Sequence, residues 1–268
     1  MAATTDTKSL FVILIRKFGC DLVLDIGSRD GKQAILFKDI LPEARVVAFE
    51  ANPLNYERMA GNSLLSERIT ILPWAVSGTD GRATFHIADA DYQAADTGVE
   101  TPENNLGISS LLVCPDVKSS QSVEVLTVRL DTMLREPEYE RHQSIALWID
   151  AESAEYFILD GMRGVADRVK VIHVETAKTP VRTGQRTYDE VVKLLAALGF
   201  IECGSNMVEN ENLGDVVFLQ RGLLPQVRAA QLKALVNQRI RINELAAFLK
   251  NRWPWLYRVL RRVFVKVI

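Results

Sequence analysis

At 268 residues, with 48% apolar and 25% charged side chains, the chain is long enough to bury a full core, and neither a disordered nor a fibrous class fits. Its three cysteines, Cys20, Cys114 and Cys203, are odd in number and far apart, which argues against a disulfide framework or a zinc knuckle and fits a reducing, cytoplasmic setting. The net charge of −2 hides a split: from Gly222 onward ten basic residues stand against one acid, Glu244, so this segment carries +9 and the remainder about −11.

The apolar block Leu10 to Ile15 is short, lies behind Asp6 and lacks a small-residue cleavage site, so it reads as a packed N-terminal helix rather than a targeting segment. No apolar run approaches the roughly 20 residues of a bilayer span. Leu22 to Ile26 reads as a strand buried on both faces, left by a glycine-rich turn. Lys32 to Asp39 follows as a helix closed by Leu41-Pro42, then Arg45 to Glu50 as a second strand. Asn52-Pro53-Leu54 opens another helix, with proline in its favoured first turn, and Ile69 to Leu72 is a short third strand. This βαβαβ start predicts a parallel sheet with right-handed crossovers.

Beyond Pro73 the rhythm changes. A turn at Gly78 to Gly81 leads into an alternating strand, and a polar stretch from Asp89 to Gly107 has the length of a functional loop, one suited to selecting a substrate. VEVLTVRLDTML restores regularity, followed by SIALWIDAES as a strand, a helix over Glu155 to Met162, VKVIHVET as a strand and a helix over Tyr188 to Leu198 ended by Gly199. Gly204 to Asp215 reads as a turn-rich connection into VVFLQ, the expected last strand. No internal repeat or low-complexity segment is present.

The first turn, Asp25-Ile26-Gly27-Ser28-Arg29-Asp30-Gly31, has the form D-x-G-x-x-x-G rather than the dinucleotide pattern G-x-G-x-x-G. A pyrophosphate needs backbone N–H groups and no carboxylate beside them, so an acid here points to a ligand that is cationic or zwitterionic near the turn. S-adenosylmethionine, with a sulfonium, an amino group and no phosphate, meets that description. Gly27 and Gly31 would allow close backbone approach, and Glu50 at the end of the second strand is placed to accept hydrogen bonds from ribose hydroxyls.

The chain resembles the FkbM family of S-adenosylmethionine-dependent methyltransferases. The resemblance covers roughly residues 20 to 220 and rests on VLDIGSRDG, VVAFEANP, WAVSGTDGRATFHI, GISSLL, VEVLTVRLDTML, LWIDAESAEYFILDGM, and VIHVE followed by YDEVVKLLAALGF, in that order. It implies an α/β class I methyltransferase fold, a Rossmann-like and mostly parallel seven-stranded sheet flanked by helices, and methyl transfer to a hydroxyl of a sugar, glycan or secondary metabolite. By position it implies that Asp25, Gly27, Ser28 and Gly31 line the methionine end of the cofactor. Glu50 and Ala51 then serve the ribose, and Trp74, Ala75 and Val76 the adenine edge. Ser109 and Ser110 match a family serine pair whose role the sequence does not assign. The family pattern resembles K-I-D-x-E-G-x-E, from which this chain departs with Trp148 at the lysine and Ser153 at the glycine.

Methyl transfer is an in-line displacement, so the protein must align the acceptor, exclude water and remove a proton. Asp150 and Glu152 at one strand end and Glu175 at the next are the carboxylates expected over the cleft, with Asp150 the first choice of general base and Glu175 the second. His173 shares a strand face with Glu175 by period two, but its apolar strand suits a core histidine better than a base. Glu155 reads as a helix start favoured by the dipole. A magnesium-like cation on Asp150, Glu152 and Glu175 would suit hard oxygen ligands, although the spacing does not demand one.

The chain therefore divides into residues 1–221, the methyltransferase domain, and residues 222–268, a basic amphipathic helical tail. In that tail Leu256, Val259, Leu260, Val263 and Val267 recur at helical spacing, with Arg258, Arg261, Arg262 and Lys266 mostly on another face. Two readings stand for it: a helix packed on the body or a partner subunit, or one lying on an anionic membrane surface with Trp253, Trp255 and Tyr257 as interfacial anchors. A second functional reading is a cofactor-binding scaffold impaired in catalysis by Trp148 and Ser153 and recruited through the tail. Nucleic acid is not an expected partner: the body carries no basic-aromatic platform, and Asn52-Pro53 follows the wrong strand for base methylation.

Overall fold

The structure, a computed structural model, describes residues 6–88, 107–115, 119–208, 211–227, 249, 250 and 252. Most of the expected tail, its aromatic anchors included, falls outside the described residues, as does most of the polar stretch that begins at Asp89.

Helix α1 (Thr7–Lys17) begins where the Asp6 side chain accepts a hydrogen bond from the Ser9 N–H at 2.9 Å. It lays Leu10, Phe11, Leu14 and Ile15 against the sheet. Then come β1 (Leu22–Ile26), α2 (Lys32–Ile40), β2 (Arg45–Phe49), α3 (Pro53–Ala60), α4 (Ser63–Ser66), β3 (Thr70–Leu72), β4 (Trp74–Val76), β5 (Gly81–Ala88) and β6 (Ser119–Val128). The chain continues through α5 (Leu130–Met133), β7 (Ile145–Ile149), α6 (Glu155–Asp160), β8 (Val169–Ala177), α7 (Tyr188–Ala197), β9 (Phe200–Ser205) and β10 (Leu213–Gln220).

Seven strands form the central sheet in the order β3-β2-β1-β7-β8-β10-β9. The pairs from β3 to β8 are parallel, and β10 is antiparallel to both β8 and β9. This is the mostly parallel seven-stranded α/β sheet expected from sequence. The order reverses beside β1: the chain first builds outward through β2 and β3, then returns to place β7 on β1's other side. The reversal opens a crevice at the C-terminal ends of β1, β2 and β7.

Alternation along the strands sorts the core into two layers. Leu22, Leu24, Ile26, Leu147, Ile149, Ile172 and Val174 pack with Ile158, Leu159, Leu194 and Leu195 on one face. Val23, Ala146, Trp148, Val171 and Val217 pack with Phe11, Leu14 and Phe37 on the other.

Two parts of the architecture go beyond the sequence reading. β4, β5 and β6 form a separate three-stranded sheet, order β4-β6-β5, a partition that the sequence reading did not assign. Phe200 to Ser205 is a strand, and the stretch read as a connection into VVFLQ already pairs from Leu213. The segment FIECGS offers little alternation and ends in Gly204-Ser205, so it takes its conformation from pairing with β10. The three cysteines are free thiols. Among the described residues no helix is long and apolar enough to cross a membrane.

Candidate active site

A pocket of about 530 Å³, counting its open mouth, lies in the crevice. Its lining includes Gly27 and Arg29 after β1, Glu50 and Ala51 after β2, Trp74, Ala75 and Val76 of β4, and Asp150 and Glu152 after β7. Phe49, Phe85, Gly107, Ser109 and Leu111 also line it.

The turn after β1 is shaped by contact with β7. Gly27 has φ +84°, and a Cβ there would stand 1.8 Å from the Asp150 carbonyl oxygen, so no other residue fits. The Gly27 and Ser28 N–H groups both donate to the Phe49 carbonyl, at 3.1 and 3.0 Å, which draws the β1 turn over the end of β2. Glu50 then bridges the two turns: its Oε2 accepts from the Arg29 N–H at 2.7 Å and its Oε1 from the Asn52 N–H at 2.8 Å. The carboxyl is fixed in orientation, with further lone pairs left for a ligand. Burial pushes it up to about 7 despite those donors.

Other members of the D-x-G-x-x-x-G turn face away from the pocket. Asp25 is buried on the opposite side of β1, where it accepts the Ser28 hydroxyl at 2.6 Å and the backbone N–H of Ala34, in the first turn of α2. It substitutes for the side-chain cap that Gly31, the residue preceding α2, cannot supply. Desolvation pushes Asp25 up to about 7. Gly31, with φ +73°, makes room for Leu65, whose Cδ1 would lie 2.9 Å from a Cβ. Asp25, Ser28 and Gly31 thus shape the turn, while Gly27, Glu50, Ala51, Trp74, Ala75 and Val76 line the cavity.

The loop after β7 is strained at two successive residues: Glu152 has φ +52° and Ser153 φ +83°. Buried Glu155 holds it, Oε1 accepting from the Ala151 and Ser153 N–H groups, each at 3.0 Å. Burial pushes Glu155 up to about 7. The serine pair divides its work. Ser109 faces the pocket and accepts the Ala88 N–H at 3.2 Å, whereas Ser110 bonds through its backbone to His86 and donates its hydroxyl to the Glu152 carbonyl at 2.6 Å.

Strand register explains the carboxylates. Ile149 pairs with Val174, and Asp215 with Glu175, so Asp150, Glu175 and Asp215 form a row across β7, β8 and β10. Burial and then the Asp150 and Glu152 charges push Glu175 up to about 9. Asp150 opens to solvent at the mouth, yet partial desolvation in the recess, followed by the Glu152 charge, pushes it up to about 6. Of the two, Asp150 gives up its proton first and Glu175 keeps its own to higher pH.

His173 is buried, with Nε2 3.3 Å from Thr7 Oγ1, and does not line the pocket, so it takes the core position its apolar strand suggested rather than the catalytic one weighed beside it. Burial pushes it down to about 3. Asp150, Glu152 and Glu175 do not converge on a shared metal position: among the described residues no group of three or more His, Cys, Asp or Glu is placed to hold an ion. Glu152 is instead paired with Arg182 at 2.8 Å.

Arg29, Phe49, Phe85, Leu111 and Arg182 were not singled out by sequence. Arg29 stands inside the turn motif at an unspecified position, and Phe85 follows from the alternation of β5. Arg182 carries no signal, because its partner lies 30 residues away.

S-adenosylmethionine fits the lining. A fixed carboxylate suits a ribose diol, and Trp74, Ala75, Val76 and Phe85 form an apolar stretch for a flat base. The acidic side of Asp150 and Glu152 favours a sulfonium and opposes a pyrophosphate.

A curated relative, the 2-O-methyltransferase NoeI of Sinorhizobium fredii (strain NBRC 101917 / NGR234), is 26% identical over 196 residues, spanning 72% of this chain and 78% of its own. Among solved structures the chain is similar to magnesium protoporphyrin IX methyltransferase from Synechocystis PCC 6803 with bound SAM, at 9% identity and a TM-score of 0.41, covering 80% of this chain and 77% of that one. It is also similar to the Methanococcus jannaschii fibrillarin pre-rRNA processing protein, at 12% identity and a TM-score of 0.42, covering 75% and 67%. The model of the methyltransferase FkbM domain matches residues 25–202, most of the central sheet and the whole pocket lining, and the chain belongs to the FkbM family of methyltransferases.

Proposed function

We propose that this chain is an S-adenosylmethionine-dependent O-methyltransferase that modifies a hydroxyl of a sugar, glycan or secondary metabolite. The observation that carries the reading is Glu50, clamped by the Arg29 and Asn52 N–H groups at the floor of a pocket whose other end is bounded by Asp150 and Glu152. The name of the relative, a 2-O-methyltransferase, supports oxygen as the receiving atom.

The cofactor supplies a methyl group already activated on a sulfonium. The chain's residues orient it, exclude water and accept a proton. Glu50 would hold the ribose and the β4 side chains the base, and Asp150 would accept the proton that the acceptor hydroxyl gives up on methylation. Desolvation and neighbouring charges, with no hydrogen-bond donor among the described residues, set the Asp150 carboxyl, so its oxygens can accept from the acceptor hydroxyl. Glu175 supports as a neutral donor that orients a neighbouring hydroxyl.

The test is incubation of the full chain with methyl-labelled S-adenosylmethionine and a panel of neutral glycosides and phenols, followed by mass spectrometry. A product carrying an alkali-stable methyl ether is expected. Label found only on an amine, or released by alkali as from an ester, would contradict O-methylation.

A further inference from the structure

The wall of the pocket nearest its mouth is built from the segment Gly107 to Leu112. Gly107, Ser109 and Leu111 line the cavity, while Ile108 and Ser110 are fastened behind them. The fastening comes from the loop between β8 and α7. Arg182 is nine-tenths buried, with 7% of its side chain exposed. Its Nη2 donates to Glu152 Oε2 at 2.8 Å and to the Ile108 carbonyl at 2.9 Å. Next to it the Thr183 N–H donates to the Val113 carbonyl at 2.9 Å. The loop itself is braced by buried Gln185, whose Oε1 accepts from the N–H groups of Val181 and Arg182 at 2.7 and 3.2 Å.

One guanidinium nitrogen therefore touches both parts of the wall: the backbone of the 107–112 segment and the side chain of Glu152, a lining residue held in a left-handed conformation. Ser110 closes the same circuit by donating to the Glu152 carbonyl. We infer that Arg182 is a positioning residue, which locks Glu152 and the Gly107–Leu112 segment into a single wall and so sets the geometry of the pocket mouth. This inference rests on the reading of the pocket as a cofactor site. The planar fork of arginine suits two acceptors at fixed angles, which the point charge of a lysine reproduces only in part. Removing the cation would also take away the stronger of the two counter-charges acting on the Glu152 carboxylate, leaving that of Arg29.

The test uses the full chain as wild type, Arg182→Met and Arg182→Lys, with hydrogen exchange followed by mass spectrometry and calorimetric titration with S-adenosylhomocysteine. In Arg182→Met, amides of residues 107–113 are expected to exchange about tenfold faster while those of β1 and β7 do not change, and affinity is expected to fall by about tenfold. Arg182→Lys, which keeps the charge on Glu152, should recover part of that affinity. It also supplies the comparison if the methionine variant fails to fold. An unchanged exchange rate over 107–113, or an unchanged affinity, in a folded variant would overturn the inference. Failure of the wild type to bind S-adenosylhomocysteine would count against the cofactor reading instead, and the exchange arm would still decide the coupling.

Discussion

The indole of Trp148 lies flat on the imidazole of His173, with ring centroids 3.5 Å apart and planes 8° from parallel. Phe11 meets both rings edge-on, at 5.4 and 6.0 Å, so the stack is sealed beneath α1 on the side of the sheet away from the pocket. The departure at residue 148 is therefore absorbed by packing, and it removes the main motive for reading the chain as a catalytically impaired scaffold. Trp148→Lys, which restores the family pattern, should destabilise the protein by about 3 kcal/mol or more, because it places an ammonium among Phe11, Phe37 and His173. Chemical denaturation checks this. His173→Phe should leave S-adenosylmethionine affinity within about twofold, since its ring packs on Trp148 and meets Thr7 outside the pocket lining.

The second departure carries strain. Ser153 occupies φ +83°, a region that suits glycine. Ser153→Gly should therefore stabilise the fold by about 1 kcal/mol, because relief of steric strain outweighs the added freedom of the unfolded chain. The Ser153 N–H bond to Glu155 is a backbone bond and survives the change. Denaturant midpoints of the two proteins give the comparison.

Several carboxyls sit above their ordinary range: buried Asp25, Glu50 and Glu155 at about 7, and half-buried Glu175 at about 9. Between about 4 and these values the folded chain binds more protons than the unfolded one, so stability falls as pH rises through that window. The melting temperature should be highest under mildly acidic conditions and decline towards alkaline pH. Glu175→Gln removes the group with the highest value and should flatten the alkaline decline. A melting series across pH on both proteins measures it; a melting temperature that climbs from about pH 5 to about pH 8 would contradict the assignment.

The same value for Glu50 predicts a ligand effect. As pH drops through about 7 the carboxyl takes up a proton and loses charge and acceptor capacity, so S-adenosylmethionine should bind several-fold more weakly near pH 6 than near pH 8. Glu50→Gln should bind weakly at both, with the dependence largely gone.

Much of this site is legible in sequence because it is local. The β1 turn, α2, β2 and Glu50 follow one another within 30 residues, and each is marked by apolar runs, glycines or a proline cap. Period two also separates Asp25 from Ile26, but the motif is read as a block, and only the packed sheet shows that Asp25 turns to α2 while Gly27 meets β7. What sequence does not reveal is contact between distant segments: the separate sheet of β4, β5 and β6, the strand β9 made by its partner, and the Arg182 pairing with Glu152. The row of Asp150, Glu175 and Asp215 depends on the register of three strands, and that register is set by the core layers beneath it.

The most direct test of the central claim is calorimetric titration of S-adenosylmethionine into wild type, Glu50→Ala and Asp25→Asn, each shown by circular dichroism to be folded. Wild type is expected to bind in the micromolar to millimolar range usual for metabolites, Glu50→Ala to lose at least about tenfold, and Asp25→Asn to stay within about threefold because its carboxyl lies behind the turn. Binding by wild type and Glu50→Ala with equal affinity, or no binding by wild type, would contradict the assignment of this pocket to the cofactor.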